Sequence, residues 1–187
     1  LDELKKLVLS NGFIKISKDE FCKEIILLIF PQLIKLDIFN NINDFSKNII
    51  EQKDFIFLIS LMIIDDTDNA EYFIYKYNIS NNDKKRIRFL SNSFYKNLKK
   101  DTFTEKNLWK IFYLQGKDHL NDLINFKLFE NKKLDKKLIK LKEFFQTKEI
   151  PKFEIKANTL IEKYNYKEGR ELGNKLSEIE EFWIENS

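Results

Sequence analysis

Ser80-Asn81-Asn82-Asp83-Lys84-Lys85-Arg86-Ile87-Arg88-Phe89-Leu90 is the stretch from which the fold class follows. A serine with an acid three residues on is a capping box, whose hydroxyl accepts from backbone N–H groups left unpaired at a helix start. The apolar residues behind it recur at helical spacing, which predicts a helix over 81–98. Ser17-x-x-Glu20, Asp68-x-x-Glu71 and Thr102-x-x-Glu105 repeat the signal. Working outward from these caps gives helices near 2–9, 17–29, 31–39, 43–50, 54–64, 69–77, 81–98, 104–114, 117–129, 132–147, 157–164 and 170–185. Pro31 suits the first turn of a new helix and Pro151 begins an extended stretch. With only 4 Gly and 2 Pro there is little material for β turns. The expectation is an all-α fold, a bundle or array of about ten to twelve short helices with no sheet, neighbours running antiparallel across short connections.

Hydrophobic content of 43% with 18 Phe over 187 residues supports a substantial core. The longest apolar runs, Ile25 to Phe30 and Phe55 to Ile64, fall short of the ~20 residues of a membrane span, so no membrane partner is expected. The N-terminus lacks the pattern of a secretory signal, and the single Cys22 has no intrachain partner, which points to the cytoplasm. Met62 is the only methionine and Leu1 to Leu9 reads as a helix under way, so the chain is expected to be cut from something longer.

The net charge of +3 conceals a strong asymmetry. Residues 1–75 carry 8 Lys/Arg and 13 Asp/Glu, residues 76–148 carry 19 and 8, and residues 149–187 carry 6 and 9, giving −5, +11 and −3. The basic third concentrates its charge in Lys84-Lys85-Arg86-x-Arg88, Lys96-x-x-Lys99-Lys100 and Lys132-Lys133-x-x-Lys136-Lys137-x-x-Lys140. Such a surface attracts polyphosphate backbones through Coulomb attraction and counterion release. A solvated face of a lysine-rich helix is the competing reading. Phe94, Tyr95, Trp109, Phe112 and Tyr113 lie among these charges; aromatics at this spacing belong to a core more often than to a stacking platform.

Catalytic material is scarce. One His119 and one Cys22 rule out a zinc cluster, a Cys/His dyad with a supporting partner, and a phosphohydrolase centre built on several histidines. Asp65-Asp66-Thr67-Asp68 is the one acidic cluster that suggests Mg²⁺, but it stands between two helices with no strand or glycine-rich loop beside it and reads as a cap.

Four stretches resemble the bacterial CCA-adding tRNA nucleotidyltransferase and poly(A) polymerase family (class II). Ser17-Lys-Asp-Glu20-Phe-Cys-Lys-Glu24-Ile25 is similar to the family's S-x-E-R-I-x-x-E-L segment, with one extra residue before Glu20 and Phe21 where Arg is usual. Ile79-Ser-Asn-Asn-Asp-Lys-Lys-Arg86 resembles its L-S-N-x-x-x-x-R segment, and Gly116-Lys-Asp a G-K-x turn. The best match is the closing segment Phe153 to Ile184, which keeps Gly169 and Gly173 but has Ala157-Asn158-Thr159-Leu160 where the family shows G-x-D-L. The pair Asp83 and Arg86 matches the spacing of the family's nucleotide-selecting D-x-x-R, but the wrong side of the Ser17 region makes it a chance match.

The resemblance implies a helical body at 1–148 that binds RNA and a helical tail at 149–187 closing with a G-x-x-x-G helix. The N-terminal catalytic head and neck are absent from these residues. It further implies that the partner is tRNA, held by its acceptor and TΨC arms. CTP, ATP and Mg²⁺ would serve the head of the parent enzyme, leaving this chain with no cofactor and no activity of its own. Lys84, Lys85, Arg86, Arg88, Lys99 and Lys100 are the candidate phosphate contacts, with Gly169, Arg170 and Gly173 joining them at the tail. The reading from a different class is a helical interaction or scaffold domain with no nucleic-acid role.

Overall fold

Ser80 caps its helix as expected: its hydroxyl accepts from the Asp83 backbone N–H at 3.2 Å and donates to the Asp83 carboxylate at 2.7 Å. The computed structural model describes residues 1–10, 12–40, 42–96, 103–131 and 134–186, the side chains of Asp44, Tyr95 and Lys96 excepted. Lys99, Lys100, Thr102, Lys132 and Lys133 lie outside the described residues. The chain folds as α1 (Asp2–Val8), α2 (Phe13–Ile16), α3 (Glu20–Ile29), a 3₁₀ turn (Leu36–Phe39), α4 (Asp44–Gln52), α5 (Phe55–Ile63), α6 (Asn69–Lys76) and α7 (Asn81–Ser91). A π turn at Asn92–Lys96 follows, then α8 (Glu105–Glu130), α9 (Lys136–Thr147), α10 (Ala157–Tyr164) and α11 (Arg170–Glu185). Among the described residues there is no strand, and no helix is long and apolar enough to cross a membrane.

Caps account for most helix starts. Asn43, Asp54, Thr104 and Asp135 each accept from the backbone N–H three residues on, satisfying donors that a helix leaves open. Three expectations change. Ser17 does not open α3; it is buried at the end of α2, where its hydroxyl donates to the Ile14 carbonyl, and Asp19 caps α3 instead. Asp68 makes no side-chain cap to α6. Asp65 folds the preceding turn by accepting from the Thr67 N–H and hydroxyl, while the Asn69 amide donates to the Ile63 and Gln32 carbonyls. The helix expected over 31–39 is a turn and a 3₁₀ segment, because Pro31 disfavours helical geometry at Phe30 (φ −125°, ψ 70°) and the Lys35 N–H then bonds the Met62 carbonyl at the end of α5.

α5 is the hub. Its residues are apolar all round, and Phe57, Ile59, Leu61, Met62 and Ile63 are fully buried, so neighbours must surround it. α1, α6, α7, α8 and the 3₁₀ turn do so. A second core joins α8 to α9 through Leu108, Phe112, Ile124, Leu138 and Phe145, with Trp109 packed on Phe112 and Phe145. The aromatics among the basic residues therefore serve mainly the core: Phe94 and Phe112 are buried and Trp109 is half-buried.

Gly116 breaks α8 into the two helices that the Gly116-Lys117 pair predicts, at φ 84°, ψ 174°. An L side chain is strained at that φ. Gly116→Ala is therefore expected to lower unfolding stability by about 1–2 kcal/mol in urea denaturation.

The chain beyond α9 runs without regular structure to Lys156, and α11 returns against α8. Tyr113 donates to Glu180, Lys110 pairs with Glu181 at 3.0 Å, and Trp183 meets the rings of Tyr113 and Phe153. The hydrogen bond to Glu180, with smaller help from burial and the carboxylate charge, pushes the Tyr113 phenol up to about 12. A raised native pKa gives stability that is complete below the unfolded value near 10 and is lost as pH rises through 12. Ultraviolet titration of the phenols is expected to show a late-ionising component from Tyr113 that is lost in Glu180→Gln.

Candidate nucleic-acid interface

α7 presents two kinds of cation. Arg86 reaches inward, its Nε donating to Asp122 at 2.6 Å and one terminal nitrogen to Asp54 at 2.7 Å. Asp122 is also taken by Lys53 Nζ at 2.6 Å and its side chain is only 3% exposed. Four charged groups thus join the start of α5, the middle of α7 and the second half of α8. Burial pushes the Asp54 carboxyl up, but the Arg86 guanidinium and the Phe57 N–H outweigh it and hold the group below the usual carboxylate range. Arg88 grips Glu71 of α6 through Nε and a terminal nitrogen, at 2.7–3.1 Å. Both arginines are thus occupied by carboxylates of this chain.

Lys84 is half-buried and Lys85 exposed, and neither forms an ion pair among the described residues. On α9, Lys136, Lys137 and Lys140 are exposed and likewise unpaired. Lys53 bonds Asp122 of α8 and repels Lys142 of α9, and Lys142 packs over the Phe45 ring at 5.4 Å. Burial first, and then the Lys53 charge, lowers the Lys142 pKa.

Between α7 and α8 lies a cleft of about 380 Å³, lined by Gln52, Asn82, Asp83, Asp118, His119 and Asn121 around the Asp54, Arg86, Asp122 cluster. His119 meets the Phe89 ring edge-on at 5.2 Å. The D-x-x-R pair faces this cleft, but Asp83 is bonded to Ser80 and Arg86 to two carboxylates, so its hydrogen-bonding edges serve the fold. The Cys22 thiol is pushed up by the Asp19 carboxylate, the opposite of what a nucleophile needs.

At the tail, Gly169 (φ 143°) precedes α11, and Gly169, Arg170 and Gly173 are exposed. No atom lies within 4 Å of where a Cβ would stand on either glycine. Among the described residues no other helix packs on these two glycines, and Gly169, Arg170 and Gly173 stand on open surface.

Lys53 and Asp122 escaped the sequence reading. The available signal was a carboxylate at position 122 inside the apolar run Leu120, Leu123, Ile124, Phe126, where a charge requires a partner. Among the described residues no group of three or more His, Cys, Asp or Glu could hold a metal ion. Compared with known proteins, the chain matches no family model, no curated protein and no solved structure.

Proposed function

We propose that this chain is the RNA-gripping helical portion of a cytoplasmic tRNA nucleotidyltransferase, holding a tRNA arm while a separate head and neck add nucleotides to the 3′ end. The observation that carries the reading is the set of five lysines, Lys84, Lys85, Lys136, Lys137 and Lys140, that stand on α7 and α9 without a carboxylate partner among the described residues. An unpaired ammonium loses no ion pair when a phosphate approaches, whereas Arg86 and Arg88 would have to release theirs. The segments around Ser17, Ser80, Gly116 and Gly169 that resemble the CCA-adding family supply the tRNA and nucleotidyl-transfer part of the proposal. A-form RNA offers phosphates and 2′-hydroxyls more readily than base edges, so recognition would be by shape. The contribution is positional: it brings a 3′ end to chemistry performed elsewhere.

The test is binding of the chain to tRNA and to double-stranded DNA across a salt series. The proposal expects tighter binding to tRNA and a steep fall of affinity with salt. Negligible affinity for both would favour the scaffold reading. With labelled CTP or ATP and Mg²⁺, the chain alone is expected to extend no tRNA lacking its 3′ end.

A further inference from the structure

α3 has two apolar faces and the fold uses one. Ile26 is buried, and Leu27 and Phe30 pack against the main core. On the other side Phe21 is 72% exposed and Leu28 83%, with Ile25 and Ile29 also open to solvent. The i, i+4, i+7 spacing of Phe21, Ile25 and Leu28 makes a narrow seam of the kind that pairs with another helix. α6 extends the surface. Asn69 and Lys76 of α6 both reach Gln32, just beyond the end of α3, which sets α6 beside it, and Tyr72 and Tyr75 are exposed, the latter to 86%.

We infer that this face is the interface of a two-fold homodimer. Large side chains carry roughly 150–250 Å² each, so the exposed fractions of these six residues amount to about 800 Å², the share one partner contributes to a standard interface. The seam also complements itself. In an antiparallel pair centred near Ile25, Phe21 of each copy meets Leu28 and Ile29 of the other, with the exposed Glu24 flanking the seam beside Ile25. An exposed apolar patch of this size is unusual on a monomer. The inference stands apart from the RNA reading, because none of the six residues is among the proposed phosphate contacts.

Light scattering or sedimentation of the full chain decides it. The dimer predicts a mass twice the 22.6 kDa of one chain, with a melting temperature that rises with protein concentration. Leu28→Glu is expected to return the mass to that of a single chain without loss of helical content, because that side chain is already solvated. Tyr75→Glu, on the other helix, is expected to weaken the dimer at least tenfold. A chain that stays at 22.6 kDa throughout the micromolar range overturns the inference and leaves the face to a different partner. A dimer indifferent to both substitutions overturns it as well. Measuring tRNA binding on the same samples keeps the two proposals separate.

Discussion

Asp122→Ala is expected to lower the unfolding free energy by about 3–5 kcal/mol, the range for removing one member of a buried ion cluster. The substitution takes the shared partner from both Lys53 and Arg86, whose side chains are 14% and 22% exposed, leaving Arg86 with Asp54 alone and Lys53 without its ion pair in a poorly solvated site. Lys142, already lowered by Lys53, stands close enough to add to the repulsion. Urea denaturation monitored by circular dichroism reads the loss. Glu71→Ala is the informative contrast. It also releases an arginine, but both partners of that pair are half exposed, so water replaces the lost carboxylate, and the expected cost is far smaller than for Asp122→Ala. Equal effects in the two variants would mean that solvent reaches Asp122 and that the cluster does not organise the junction of α5, α7 and α8.

Replacing Lys84, Lys85, Lys136, Lys137 and Lys140 together by Ala is expected to weaken tRNA binding on the order of 10²-fold at moderate salt. The slope of affinity against salt should fall by about one for each lysine that meets a phosphate. Stability should change little, because four of the five side chains are exposed and the fifth is half-buried, with no ion pair among the described residues to lose. Arg88→Ala should affect RNA binding less than Lys85→Ala, since its charge is already met by Glu71. The reverse order would mean that the Glu71 pair opens for RNA.

The fold was largely legible because its signals are local. The Ser80 cap, the Phe55–Ile63 helix, apolar but for Ser60, and the break at Gly116 are each short-range features of the chain, and helix type follows from them. The misreadings have local causes as well. At α3 Asp19 rather than Ser17 accepts the Cys22 N–H, because Ser17 closes the short α2, which has no side-chain cap to announce it. At 31–39 the apolar pattern was helical, yet Pro31 and the Lys35 to Met62 bond divert the backbone.

The candidate interface was less legible because charge in a sequence does not reveal where its partner lies. Lys84, Lys85, Arg86 and Arg88 look equivalent in the chain. The carboxylates that separate them, Asp54, Asp122 and Glu71, come from 17 to 36 residues away. Lys53 and Asp122 are 69 apart and carry no shared local pattern. The apolar face of α3 was hidden for the opposite reason: an apolar-rich helix is read as core until the neighbours that should cover it are found to be missing.

Amine labelling of the chain with and without tRNA, read residue by residue by mass spectrometry, shows whether RNA covers the five lysines. Lys84, Lys85, Lys136, Lys137 and Lys140 are expected to become protected in the complex while the exposed Lys15 and Lys18 keep their reactivity. Unchanged labelling at all five, under conditions where tRNA is bound, would contradict this reading.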